Sequence, residues 1–290
     1  MTAIEAYAAP TKVEEAAELL AGGEATVFAG ATDLMLQTRS GAKAFAPTLV
    51  NLRRVEGLRG TTEANGAIRL GALTTITDVL KDKVLRRSAP VLCETADKFA
   101  CGQVRNSATV GGNICNASPA GDMIIPLLLL DAEAELVSWV DGEANWRRIP
   151  LSNFFDGPGQ TKLRASEILT ALTFRTPASD FVAGFQKFGT RPSMDISVVS
   201  VGLGGRLKNG VLTESRVAFG AVAPVPMRGR ETESVINGRI IDETTIAAAS
   251  AKANAEISPI DDVRGSAWYR RELIITLTGR LLRDVAQTGN

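Results

Sequence analysis

The chain has 290 residues, 45% of them hydrophobic, enough to bury the core of one large domain or of two to three smaller ones. Lys+Arg and Asp+Glu both number 32, so the formal net charge is zero, and without a basic excess no nucleic-acid partner is expected. There is no histidine, which excludes Ser-His-Asp and Cys-His catalysis, His-based zinc sites and a flavin tethered through histidine; any redox chemistry must then belong to a cofactor held by weak contacts.

At the N-terminus, Met1 to Ala9 carries Glu5 and no basic residue, unlike a secretory leader. Thr11 and Glu14 suggest a capping box for a helix with apolar residues at Val13, Ala16, Ala17 and Leu20, stopped by Gly22-Gly23. Ala25–Ala29 reads as a short strand ending at Gly30, Thr32–Thr38 as the next helix and Val50-Asn51-Leu52 as another strand. A second region starts near Gly57, with a strand at Ala67–Leu73 and helices at Thr75–Lys81 and Pro90–Phe99. Gly102–Asp122 is rich in Gly, Asn, Ser and Thr and shows no periodicity. Met123–Leu130, the longest apolar stretch, reads as a buried helix interrupted by Pro126; it is far short of the ~20 residues that cross a bilayer. The chain therefore reads as soluble and cytoplasmic. Ala134–Val140 and Glu167–Phe174 read as strands.

The last region starts around Pro177. Ile196–Leu207 and Val211–Ala223 flank Asn209-Gly210, a strong hairpin signal. Thr244–Glu256 reads as an Ala-rich helix and Ser266–Ala286 as a long amphipathic one, with Leu273, Ile274, Leu277, Leu281 and Leu282 on one side. The fold class is α+β, with a two-part N-terminal domain over 1–176 (subdomains about 1–56 and 57–176) and a C-terminal domain of sheet and helices over 177–290. Cys93, Cys101 and Cys115 are odd in number and lack CxxC spacing. They make neither a disulfide framework nor a four-cysteine cluster set, and read as three reduced, partly buried thiols.

Two segments carry candidate chemistry. In Phe28-Ala29-Gly30-Ala31-Thr32-Asp33-Leu34 a strand enters a small-residue turn before a helix, where backbone N–H groups can approach an anion and Thr32 adds a hydroxyl. It lacks the Gly-Lys-Ser/Thr ending of a Walker loop and is not GxGxxG, and a plain connection also explains it. The second runs from Arg105 to Asp122 and gathers Thr109, Val110, Gly111, Gly112, Asn113, Ser118 and Asp122. Its glycines permit close backbone approach, and Thr109, Ser118 and Asn113 offer polar groups. Because it runs into an apolar helix, it is expected to lie against the core, where a bound dinucleotide supplies partners.

Ala29-Gly30-Ala31-Thr32-Asp33-Leu34 resembles the first FAD-binding motif of the medium subunit of molybdenum hydroxylases, the family of the flavin subunits of carbon monoxide dehydrogenase and bacterial xanthine dehydrogenase. Thr109-Val110-Gly111-Gly112-Asn113 resembles the second motif, and Asn116-Ala117-Ser118-Pro119-Ala120-Gly121-Asp122 continues it. Further similar segments are Phe154 to Gly159, Glu167-Ile168-Leu169, Lys187 with Asp195-Ile196, Phe219 to Ala223, and Asp262 to Ser266 with Tyr269-Arg270, so the resemblance spans nearly the whole chain.

The resemblance implies a two-part FAD-binding domain of the PCMH type and non-covalent FAD. Ala29 to Asp33 and Thr109 to Asn113 would hold the pyrophosphate and nearby ribityl groups, and Asp122 would accept from FAD hydroxyls. Phe99, Leu169 and Lys187 would touch the flavin, with Lys187 stabilising negative charge on the reduced ring. Where the family usually has a second glycine in the first motif, this chain has Ala31, which costs about 1 kcal/mol if the position needs positive φ.

The resemblance also implies a large molybdenum-cofactor subunit and a small [2Fe–2S] subunit as partners, in a dimer of heterotrimers. Electrons would pass through FAD to NAD, a quinone or oxygen. Three scattered cysteines cannot supply the inserted [4Fe–4S] loop of the 4-hydroxybenzoyl-CoA reductase variant. The alternatives are a free-standing FAD-dependent oxidase and a non-redox flavin-binding assembly factor.

Overall fold

The computed structural model describes residues 4–191 and 193–288. It begins with a small all-parallel sheet of β1 (Ala6–Ala8), β2 (Ala25–Phe28) and β3 (Thr48–Asn51) in the order β1-β3-β2. α1 (Val13–Ala21) connects β1 to β2 and buries Ala16, Ala17 and Leu20, the stripe the helical spacing predicts. Its cap lies one residue later than expected: Glu15, not Glu14, accepts from the Lys12 and Thr11 amides. α2 starts two residues later than expected, running over Leu34–Arg39, so Thr32 and Asp33 extend the turn instead of opening the helix.

The second piece is built on an antiparallel sheet. β4 (Thr61–Ala64) and β5 (Ala67–Gly71) precede a run of short helices: α3 (Ile76–Lys81), α4 (Lys83–Ser88), α5 (Pro90–Asp97), α6 (Gly102–Arg105), α7 (Val110–Asn116) and α8 (Ile124–Leu129). The chain then returns through β6 (Glu133–Val140) and β7 (Glu143–Pro150), a small hairpin of β8 (Phe155–Gly157) and β9 (Gln160–Thr161), and β10 (Glu167–Arg175). The sheet order is β4-β5-β10-β6-β7. One face receives α1 through Leu73, Val137 and Ile168; the other packs Ile68, Leu70, Leu136 and Leu172 against the helices. Burial on both faces explains why Ile168, Leu169, Ala171 and Leu172 of β10 show no apolar–polar alternation.

Two expectations need correction here. The stretch 102–122 is not an irregular loop, because it contains α6 and α7. Pro126 does not interrupt α8, because it sits in the first turn, where its missing N–H has no intrahelical partner to lose.

The third piece is a sheet of β11 (Phe181–Phe188), β12 (Val199–Lys208), β13 (Val211–Gly220) and β14 (Met227–Arg228). α9 (Arg230–Ile236) follows, then β15 (Arg239–Ile240) beside β13, α10 (Glu243–Glu256) and α11 (Ala267–Gln287). Asn209 and Gly210 both have positive φ, 51° and 75°, as a tight hairpin turn requires. α10 and α11 cover one face of this sheet, burying Ile246, Ala249, Ala253, Ile274, Leu277 and Leu282 against Val199, Val201, Leu203 and Phe219. The fully buried α8 lies against the other face. A Cβ on Gly202 would come within 2.6 Å of Ile125, so glycine there lets strand and helix meet. No helix among the described residues is long and apolar enough to cross a membrane.

Candidate functional site

The first turn and the second motif face one another across a half-open cleft of about 150 Å³. Phe28, Ala29, Gly30, Ala31, Thr32, Asp33 and Leu34 form one wall, and Thr109, Gly112 and Asn113 the other, with Phe99 at the side. Two segments some eighty positions apart thus meet in space. A side-chain bridge ties them together, in which Gln37 Nε2 donates to Asn116 Oδ1 at 2.8 Å.

The backbone of the first wall is held in an unusual shape. Ala31 has φ +56°, the left-handed region where a glycine is at ease and an L residue is not. Gly30 admits no side chain: a Cβ there would lie 2.0 Å from the Ser107 carbonyl oxygen. This close approach presses the turn onto the second piece. Among the described residues, the amides of Gly30, Ala31, Thr32 and Asp33 donate to no protein acceptor, and all four residues line the cleft. Consecutive free amides around a left-handed residue form a concavity suited to an anion.

The second wall is different. The first-turn donors of α7 already have protein partners: Val110 N–H on Thr74 O at 3.0 Å, Gly111 N–H on Ala72 O at 2.8 Å, and Gly112 N–H on the Thr109 hydroxyl at 3.0 Å. What this wall presents is the bare face of Gly112 and Asn113, whose buried Oδ1 has no hydrogen-bond partner. Such an orphan acceptor calls for a donor from outside the chain. Val110 and Gly111 lie beneath the cleft, Val110 in the core and Gly111 against Ala72.

Two charged side chains line the cleft, Asp33 and Lys43. Desolvation lifts the Asp33 carboxyl above its ordinary range. Cys115 also lines it, and burial pushes its thiol up to about 12, opposed by the positive charge of Lys43. All three cysteines are free and partly buried, as expected.

The remaining candidates lie outside this cleft. Leu169 is 5% exposed and packs in the core. Asp122 is buried in the turn before α8, where its Oδ2 accepts from Lys187 Nζ at 2.6 Å and its Oδ1 from the Ser197 hydroxyl at 2.7 Å. Burial raises the Asp122 carboxyl, and the Lys187 ammonium opposes the rise. Lys187 also reaches the Asp195 carbonyl at 3.3 Å, while the Asp195 carboxylate accepts from Thr190 and Arg191 in the turn before it and from the Ile196 amide after it. Ser118 lines a second cavity of about 320 Å³ with Ile196, Ser197 and Arg270. There Arg270 donates to Val198 O at 2.7 Å, Ala221 O at 2.6 Å and Asp262 Oδ1 at 2.7 Å, drawing three distant sequence segments together.

Sequence reasoning missed Gln37 and Lys43. Neither belongs to a motif, and only the folding of the two pieces against each other brings them to the cleft.

Residues 2–177 match the family model described as the FAD binding domain in molybdopterin dehydrogenase. The chain belongs to the FAD-binding subunits of the molybdenum hydroxylase family. Residues 184–285 match the C-terminal domain of the carbon monoxide dehydrogenase flavoprotein. This flavin-binding subunit is 33% identical to the xanthine dehydrogenase FAD-binding subunit of Escherichia coli O157:H7, over 98% of this chain and 97% of that one. It is 29% identical to the carbon monoxide dehydrogenase medium chain of Hydrogenophaga pseudoflava, over 95% of each. Among solved structures it resembles carbon monoxide dehydrogenase from Hydrogenophaga pseudoflava, with TM-score 0.91 and 26% identity over 98% of this chain and 97% of that one. Quinoline 2-oxidoreductase from Pseudomonas putida 86 superposes with TM-score 0.90 at 26% identity, over 98% of this chain and 97% of that one. The subunit is an oxidoreductase component whose cofactor is FAD. The cleft fits that cofactor: four free amides suit a pyrophosphate, and the Asn113 acceptor suits a hydroxyl.

Proposed function

We propose that this subunit holds FAD in the cleft between its two N-terminal pieces and relays electrons within a molybdenum hydroxylase complex. The free amides of Gly30 to Asp33 carry the reading, because a pyrophosphate supplies the acceptors they lack. Thr32 adds its hydroxyl, Thr109 fixes the opposite wall by capping α7, and Gly112 keeps that wall clear of side chain. Asn113 would bond the ribityl region, and Phe99, at the side of the cleft, would contact the flavin. Asp122, Lys187 and Leu169 lie outside the cleft, Asp122 and Lys187 as a buried ion pair; in this reading the flavin end extends past the cleft toward them, as family resemblance implies, with Lys187 the positive charge nearest the reduced ring. FAD, when bound, takes electrons singly from iron–sulfur clusters and gives them up in pairs as hydride.

The partners in this reading are a large subunit with the molybdenum cofactor and a small subunit with two [2Fe–2S] clusters, in a dimer of heterotrimers; NAD, a quinone or oxygen is the final acceptor. The names of relatives as medium chains and subunits support a multi-subunit setting. The three unpaired cysteines suit a reducing compartment, the cytoplasm.

A visible spectrum tests the reading. The purified chain is expected to show flavin bands that substrate bleaches only when the partner subunits are present. Bleaching of the isolated chain by a small substrate would establish a free-standing oxidase instead. A chain that refuses added FAD would overturn both.

A further inference from the structure

We infer that Lys43 is the electrostatic partner of the FAD pyrophosphate in this subunit. The inference deepens the FAD reading above and rests on it. A pyrophosphate diester carries about two negative charges at neutral pH, and four amide dipoles in a half-open cleft neutralise them only in part. The cleft also contains Asp33, whose negative charge opposes an anionic ligand. The compensation has to come from a cation on the walls. Among the described residues lining the cleft, Lys43 is that cation, and it has no carboxylate within 4.0 Å.

The placement of Lys43 follows from local structure. Its amide donates to the Gln37 carbonyl at 3.2 Å, closing the loop after α2 back onto the helix. Gln37 is in turn pinned to Asn116 across the cleft. The lysine is therefore carried by a loop anchored at the seam between the two pieces, while its exposed side chain remains free to swing onto a ligand. Its charge already acts across the cleft on Cys115, on the opposite wall. The two other lysines near the flavin-binding region do not play this part: Lys187 is held by Asp122, and Lys98 donates to the Phe185 carbonyl at 2.6 Å. In a chain whose first turn holds Ala31 in a left-handed conformation, an added charge contact also offsets a strained anion cradle.

The test uses the full chain stripped of flavin, titrated with FAD and followed by quenching of flavin fluorescence, with ADP as a competitor that has the pyrophosphate and lacks the flavin. Lys43→Ala is expected to weaken FAD and ADP by a similar factor, about tenfold at low salt, and the gap to wild type is expected to narrow as salt is raised. Lys43→Arg keeps the charge and is expected to stay within about twofold of wild type. Because Lys43 is exposed and its side chain bonds nothing among the described residues, both variants should retain the wild-type circular dichroism spectrum. Wild-type FAD affinity in Lys43→Ala at low salt would overturn the assignment while leaving the FAD reading intact. So would a loss for FAD with no loss for ADP, since the lysine would then act on the flavin end. Wild-type protein that binds neither ligand would overturn both.

Discussion

Lys187 Nζ donates to Asp122 Oδ2 at 2.6 Å, with the two side chains only 12% and 8% exposed, so β11 is fastened to the turn before α8 by an ion pair that is nearly dry. Each charge depends on the other, since an unpaired ammonium or carboxylate in that position has lost its water without compensation. Asp122→Ala should therefore destabilise the fold by about 3 kcal/mol, beyond any effect on flavin affinity. Combining it with Lys187→Met should recover part of that loss. Urea unfolding of the two single variants and the double variant gives the coupling, and a value below about 0.5 kcal/mol would mean that water screens the pair.

Ala31→Gly is expected to stabilise the chain. The left-handed conformation at φ +56° costs alanine about 1 kcal/mol, partly returned through the greater freedom of glycine in the unfolded state. The thermal midpoint should rise by about 2 °C, and FAD should bind a few-fold more tightly because the free amides are held with less strain. A lower midpoint in the variant would show that the turn relaxes in solution.

The two glycines of the walls should fail in different ways. At Gly30 a methyl group collides with the Ser107 backbone, so Gly30→Ala should open the seam between the pieces and lower the thermal midpoint. Gly112 lines the cleft, and an added Cβ there meets the Thr109 hydroxyl at 2.9 Å, so Gly112→Val should abolish flavin retention with a near-native circular dichroism spectrum. Full flavin content in Gly112→Val would put the cofactor somewhere else.

Acid should weaken the central sheet. Burial alone would raise Glu167, but two N–H bonds from Arg147, at 2.6 and 2.7 Å, and the Arg164 amide hold it below the ordinary glutamate range. Glu135 is likewise held down against burial by Arg69, Arg148 and the Thr170 hydroxyl. A carboxyl with a lowered folded pKa contributes stability above its unfolded value and loses it as pH falls through the folded one. The urea midpoint should thus fall steadily below about pH 4.5. Glu167→Gln should start lower at neutral pH and lose less on acidification. Parallel curves for variant and wild type would remove Glu167 from this account.

The parts of the fold that could be read from sequence are those with local signals. The Asn209-Gly210 hairpin and the apolar stripe of α11 depend on neighbours a few positions away, and both are found as expected. β7 is an edge strand with mostly solvent-facing side chains, including Arg148, so it has no buried face to leave a pattern. α7 escaped because Gly-Gly-Asn is a poor helix sequence; contacts with Ala72, Thr74 and the Thr109 cap hold it in place. The same split runs through the cleft. Its walls could be found because close backbone approach demands small residues, whereas Gln37 and Lys43 arrive through tertiary contact alone.

Gln37 and Asn116 bridge the cleft from positions 79 residues apart. During translation the small parallel sheet and its open turn leave the ribosome well before the wall that completes the cleft. In the proposed reading, flavin loading is therefore a late event in the life of the nascent chain. A product truncated ahead of Asn116 would carry the first motif intact and still be blind to the cofactor.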